Sequence, residues 1–135
     1  MKHINLTIGI ITVILIIAFS AVGPRREKAP PTYNPGMEVT VSGTVAEVRE
    51  FYCPIVDEQA MHLVVKSGSE VLLVHLAPGR FMRRENIQFH TGDRVDVVGT
   101  RVNFQDKDAL LAREITRGNE SFVFRDRDGK LLLTQ

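Results

Sequence analysis

Val39-Thr-Val-Ser-Gly-Thr-Val-Ala-Glu-Val48 is the stretch whose reading decides the fold class. Val39, Val41, Gly43 and Val45 alternate with Thr40, Ser42 and Thr44, the two-residue period of a strand that packs one face and wets the other. Val48 then falls on the opposite parity. One extra residue near Ala46 or Glu47 accounts for that, so the spacing predicts a long first strand that carries a β-bulge and bends at Gly43.

Downstream, Phe51-Tyr52-Cys53-Pro54 to Gln59 breaks the alternation and reads as a loop, because Pro54 has no N–H for a ladder. Residues 61–66 and 70–76 read as two strands joined by Ser67-Gly68-Ser69, a hairpin. Ala77-Pro78-Gly79 ends the third strand, and residues 80–85 are the helical candidate of the domain. Thr91-Gly92-Asp93 turns into residues 94–102, where Val95 and Val97 alternate with charges and Gly99 marks a second bend. Residues 109–116 form a fifth strand, and residues 121–125 with 130–133 read as a hairpin with Asp128-Gly129 at its turn.

Upstream, residues 24–36 hold four of the six prolines and read as a semi-extended spacer. Before them, Leu6 to Val22 runs 17 residues without a charge, roughly 25 Å as a helix and the lower limit for spanning a bilayer. Pro24 makes cleavage after this run unfavourable. Lys2 precedes it, whereas Arg25, Arg26 and Lys28 follow it. The expected organisation is a signal-anchor or transmembrane helix over residues 1–23, a Pro-rich linker over 24–36 and one β domain over 37–135. The short leading flank places that domain on the periplasmic side of an inner membrane.

Residues 37–135 keep 13 basic and 15 acidic side chains, a net charge of −2. Nucleic-acid binding needs clustered positive charge, and base stacking needs aromatics on the strands. Residues 61–66 and 70–76 contain no Phe, Tyr or Trp, so no nucleic-acid partner is expected. Arg80, Arg83 and Arg84 read as a solvated helix face beside Glu85. Nucleotide-binding, hydrolase and zinc-protease motifs are absent, and the acidic residues are scattered singly, so the chain reads as non-enzymatic.

Val41-Ser-Gly-Thr-Val-Ala-Glu-Val48 and Thr91-Gly-Asp-Arg-Val-Asp-Val-Val-Gly-Thr100 resemble the first and fourth strands of bacterial OB-fold proteins. One export segment before a barrel is similar to the periplasmic OB-fold group. The resemblance covers residues 39–116. It implies an all-β, five-stranded OB-like barrel with one short helix and a C-terminal hairpin, preceded by the transmembrane helix. The architecture also resembles the haem chaperone of cytochrome c maturation, a family that attaches haem through His-x-x-x-Tyr in its tail. This chain has no histidine after His90, so only the architecture carries over.

The chemistry-bearing side chains are Cys53, Met61, His62, His75, Met82 and His90. Thiolate, imidazole and thioether together suit copper or haem iron. With the hairpin symmetric about Gly68, His62 faces Val74 and His75 faces Met61, which leaves the imidazoles diagonal. Cys53, the single cysteine, reads as inert and packed under the loop by Phe51, with Arg49 the nearest cation in sequence. The expected ligand-binding surface is therefore a rim of Phe51, Tyr52 and Cys53 with His62 and His75. Its ligand is a protein or small molecule, and no resident metal or cofactor is expected. The alternative is a metal- or haem-handling redox accessory protein, and a second is a nucleic-acid-binding barrel.

Overall fold

The alternation around residues 39–48 becomes the first strand of the computed structural model, which describes residue 23 and residues 28–132. After a 3-10 turn at Pro35–Met37, β1 (Glu38–Cys53) is followed by β2 (Glu58–Ser67), β3 (Glu70–Pro78), helix α1 (Gly79–Arg84), β4 (Arg94–Phe104), β5 (Lys107–Arg117) and β6 (Glu120–Val123). The six strands form one sheet in the order β3-β2-β1-β4-β5-β6. All neighbours in that order are antiparallel. In addition β3 pairs parallel with β5, Leu73 to His75 against Ala109 to Leu111, and so bends the sheet back on itself.

β1 is long because it serves two partners. Its first half pairs with β4 from Glu38↔Thr100 to Thr44↔Arg94, and its second half pairs with β2 from Thr44↔Lys66 to Cys53↔Glu58. The register shifts between Val45 and Glu47, which places the bulge at Ala46 and turns the strand from one partner to the other. Gly43 lies so close to the Lys66 carbonyl that a Cβ would collide with it. The inward face carries Val41, Val45, Leu63, Val65, Leu72, Val74, Val97, Leu110 and Ile115, and Phe81 and Met82 of α1, Phe89 and Phe124 join them in the core.

The expected five-stranded OB-like barrel with a separate C-terminal hairpin is corrected to this six-stranded sheet. Gly118, at φ 60, makes a tight turn after β5, so residues 120–123 pair with β5 as a sixth strand. The Asp126–Gly129 turn closes only a single bridge, Arg125↔Leu131. The expected transmembrane helix falls on residues 1–22, which lie outside the described residues; among the described residues no helix is long and apolar enough to cross a membrane.

The expected loop at residues 51–59 shrinks to four residues, because the β1–β2 ladder continues through Phe51↔Ala60 and Tyr52↔Gln59. Pro54 falls just outside the ladder, where its missing N–H is not required. The β2–β3 connection is tighter than Ser67-Gly68-Ser69. Ser67 pairs with Glu70, and Gly68, at φ 61, opens a two-residue turn.

Candidate metal centre

That turn moves every pair from Ser67↔Glu70 to His62↔His75 by one residue from a register symmetric about Gly68. His62 therefore lies directly opposite His75, and the expected diagonal placement is corrected. Leu63 and Val65 on β2, and Leu72 and Val74 on β3, point into the apolar core. His62 and His75 are on the opposite parity and share the other face of both strands.

Continuation of β1 to residue 53 adds the third group. Cys53 Sγ lies 3.4 Å from His75 Nδ1, and His62 Nε2 lies 3.0 Å from the same Nδ1. The three potential ligand atoms all fall within 4.8 Å of one another. All three side chains are buried, with 1 % of Cys53, 0 % of His62 and 4 % of His75 exposed. Phe51 stacks flat on His62 at 3.8 Å between centroids, and Phe104 meets the His75 ring edge-on at 4.6 Å. These two aromatics fix the ring planes.

Of the expected rim, Phe51, Cys53, His62 and His75 are thus brought together, while Tyr52 is half exposed and bonds Asp57. Met61 and Met82 pack with the apolar core, and His90 sits in the turn before β4. Arg49 is engaged by Glu47 at 2.7 Å. No local pattern marks Phe104 as part of the cluster; strand pairing delivers it.

The electrostatics of the cluster follow from burial. Burial lowers His62 to about 4 and His75 to about 3, and it raises the Cys53 thiol. At neutral pH both imidazoles are uncharged, which is the form that coordinates metals. Hydrogen bonding within the protein does not satisfy the group. His75 Nδ1 has one ring position, either lone pair or N–H, and two neighbours competing for it. Of the outer nitrogens, His75 Nε2 finds no protein partner, while His62 Nδ1 makes no well-formed hydrogen bond and has the Ala60 backbone as its neighbouring acceptor.

Buried polar atoms left in this state cost stability, and a cation accepting three converging lone pairs resolves the inner half of the problem. Metal–nitrogen and metal–sulfur bonds of about 2.0 and 2.3 Å need the two pairs that share His75 Nδ1 to open by only a few tenths of an ångström. Ligand atoms so close together enclose a single ion, with no room between them for a macrocycle. Thiolate with imidazole is the donor set of copper and zinc sites.

Residues 37–122 match the model of the MamS/MamX magnetosome protein family, and no curated protein matches the chain. The chain belongs to the MamS/MamX magnetosome protein family, a bacterial family.

Proposed function

Starting from that family membership, we propose that this is a non-catalytic accessory protein of the magnetosome that binds one transition-metal ion between Cys53, His62 and His75. The observation that carries the reading is the convergence of one thiol and two uncharged imidazoles within 4.8 Å in a buried position. Burial supports the non-catalytic part of the reading, because these side chains are closed off from solvent and a substrate would need access to the ion.

Each of the three groups has one task. The Cys53 thiolate supplies the charge that holds the cation, and binding releases its proton. His62 Nε2 and His75 Nδ1 complete the set as neutral donors. Phe51 and Phe104 hold the rings and keep water away. The binding or assembly role expected from the sequence then takes a metal ion as its ligand, and an extracytoplasmic setting for residues 37–135 and a protein partner at the magnetosome belong to the same proposal.

Elemental analysis of the full chain, purified in detergent without chelator and after loading with copper or zinc, tests it. One equivalent of metal is expected, lost in Cys53→Ser and in His75→Ala while both variants keep the wild-type β-sheet circular dichroism. Absence of stoichiometric metal after loading, or retention of the ion in both variants, overturns the proposal.

A further inference from the structure

Cys53, His62 and His75 are at most 4 % exposed, so no hydrated ion reaches a ligand atom while the packing stands as it is. Some group must move for an ion to load or leave, and the contacts around the cluster single out one side chain. Arg49, Phe51 and Cys53 occupy alternate positions of β1 and so share one face of it. Arg49 pairs with His62, and Phe51 pairs with Ala60. Phe51 therefore stands along the strand between the partner of His62 and Cys53. Its ring lies flat on the His62 imidazole, 3.8 Å between centroids and 7° between planes.

The two aromatic covers of the cluster differ in their own surroundings. Phe104, edge-on to His75 at 4.6 Å, is 6 % exposed and held in the interior. Phe51 is only partly buried, and across the strand pair it faces the single methyl of Ala60. On the side away from Cys53 its neighbour Arg49 is half exposed and engaged by Glu47. The Phe51 ring thus seals the imidazole on one side and borders water elsewhere. A χ1 rotation of such a ring displaces few neighbours, whereas moving Phe104 disturbs close-packed interior.

Resting on the metal-binding reading above, we propose that the Phe51 ring is the gate of the Cys53–His62–His75 centre: the ion enters and leaves on rotation of that one side chain, which sets the rate of exchange and not the affinity. A gate has a kinetic signature that a structural prop lacks. A flat stack covers the face of the imidazole, while a bond to Nε2 lies in the ring plane, so Phe51 stacks alike on the empty and the loaded centre. The open fraction is then the same in both forms. Loading and release are slowed by one common factor, and their ratio is untouched.

The test is rapid mixing on the full chain in detergent, under oxygen-free reducing conditions. Loading is followed with copper(I) or zinc(II), whichever the wild type takes up to one equivalent, and release with an excess of a chromophoric chelator. The wild-type release rate is expected to reach a plateau that further chelator does not raise, because ring opening comes first. Phe51→Ala is expected to speed loading and release together by about ten- to a hundredfold, with their ratio changed by less than about threefold. Phe51→Tyr, which restores a stacked ring, is expected to return both rates toward wild type. Unchanged rates in Phe51→Ala with one equivalent still bound, or faster release without faster loading, overturn this inference and leave the metal site standing. An equal or larger acceleration in Phe104→Ala, or a wild-type release rate that keeps climbing with chelator, does the same. A wild type that takes up neither ion overturns both readings. If Phe51→Ala does not fold, Phe51→Leu, which keeps apolar bulk and loses the flat ring, decides by the same two rates.

Discussion

At the scale of single residues, the two histidines make stability depend on pH in a direction that the burial fixes. The unfolded chain takes up protons at the ordinary histidine value of about 6.5, while the folded chain refuses them until about 4 at His62 and about 3 at His75. In that window the unfolded state holds more protons, so falling pH favours it. The metal-free protein should therefore be at full stability above about pH 6.5 and lose it progressively as pH drops toward 4. Urea midpoints measured from pH 7.5 to 5 check this, and a slope no smaller in a folded His62→Phe, His75→Leu double variant would count against it. Above pH 5 the carboxylates with lowered values, such as Glu38, Glu70 and Asp93, contribute little, which makes that range diagnostic for histidine. Gly99 is a second sensitive position. It lies opposite the β5 bulge at Arg113 and against the Leu111 carbonyl, where a Cβ has no space, so Gly99→Ala should cost about 1–3 kcal/mol by overpacking, read from the shift in denaturation midpoint at constant slope.

At the scale of elements, α1 shows which forces hold a short helix in place. Six residues cannot sustain a helix by propensity, and two kinds of contact fasten this one. Phe81 and Met82 are buried in the core, while Arg80 pairs with Glu58 and Arg83 with Glu50 on the outside. The arginines are more than half exposed, so water and salt screen those pairs. Phe81→Ala is expected to cost about 3–5 kcal/mol, and replacing Arg80 and Arg83 together to move the midpoint only slightly; a comparable loss in both, measured in low salt, would reverse that ranking. The same contrast explains what could be read in advance. The Ala46 bulge, the Gly99 irregularity and the helix before β4 each announce themselves through local parity, a glycine or a proline. The His62–His75 pairing hung on whether Gly68 centres a three-residue turn or opens a two-residue one, a difference of one residue that leaves no trace in the apolar pattern because residues 62–65 and 71–76 are apolar or nearly so on both faces. The extent of β1 through Cys53 was hidden for a related reason: Pro54 ends a ladder as readily as it marks a loop.

At the scale of the whole molecule, charge and aromatics set limits on partners. Residues 37–135 carry a net charge of −2, and the arginines of α1 are matched by acidic neighbours. The full chain should show no salt-sensitive binding of single-stranded DNA or RNA at physiological ionic strength; micromolar affinity that weakens steeply with salt would show that the charge accounting misses a surface. This expectation rests on residue content alone. Long-range closure was not legible, because the parallel pairing of β3 with β5 joins strands far apart in the chain. That closure also puts the parts of the cluster on a clock. Cys53 and His75 are 22 positions apart within three consecutive strands, whereas Leu111, the β5 residue that pairs with His75, is added 36 residues after it. At about 5–20 residues per second, ribosomal synthesis delivers Cys53, His62 and His75 roughly 2–7 s before the strand that closes over His75. In a newborn chain the three groups are therefore reachable from water before the sheet shuts around them.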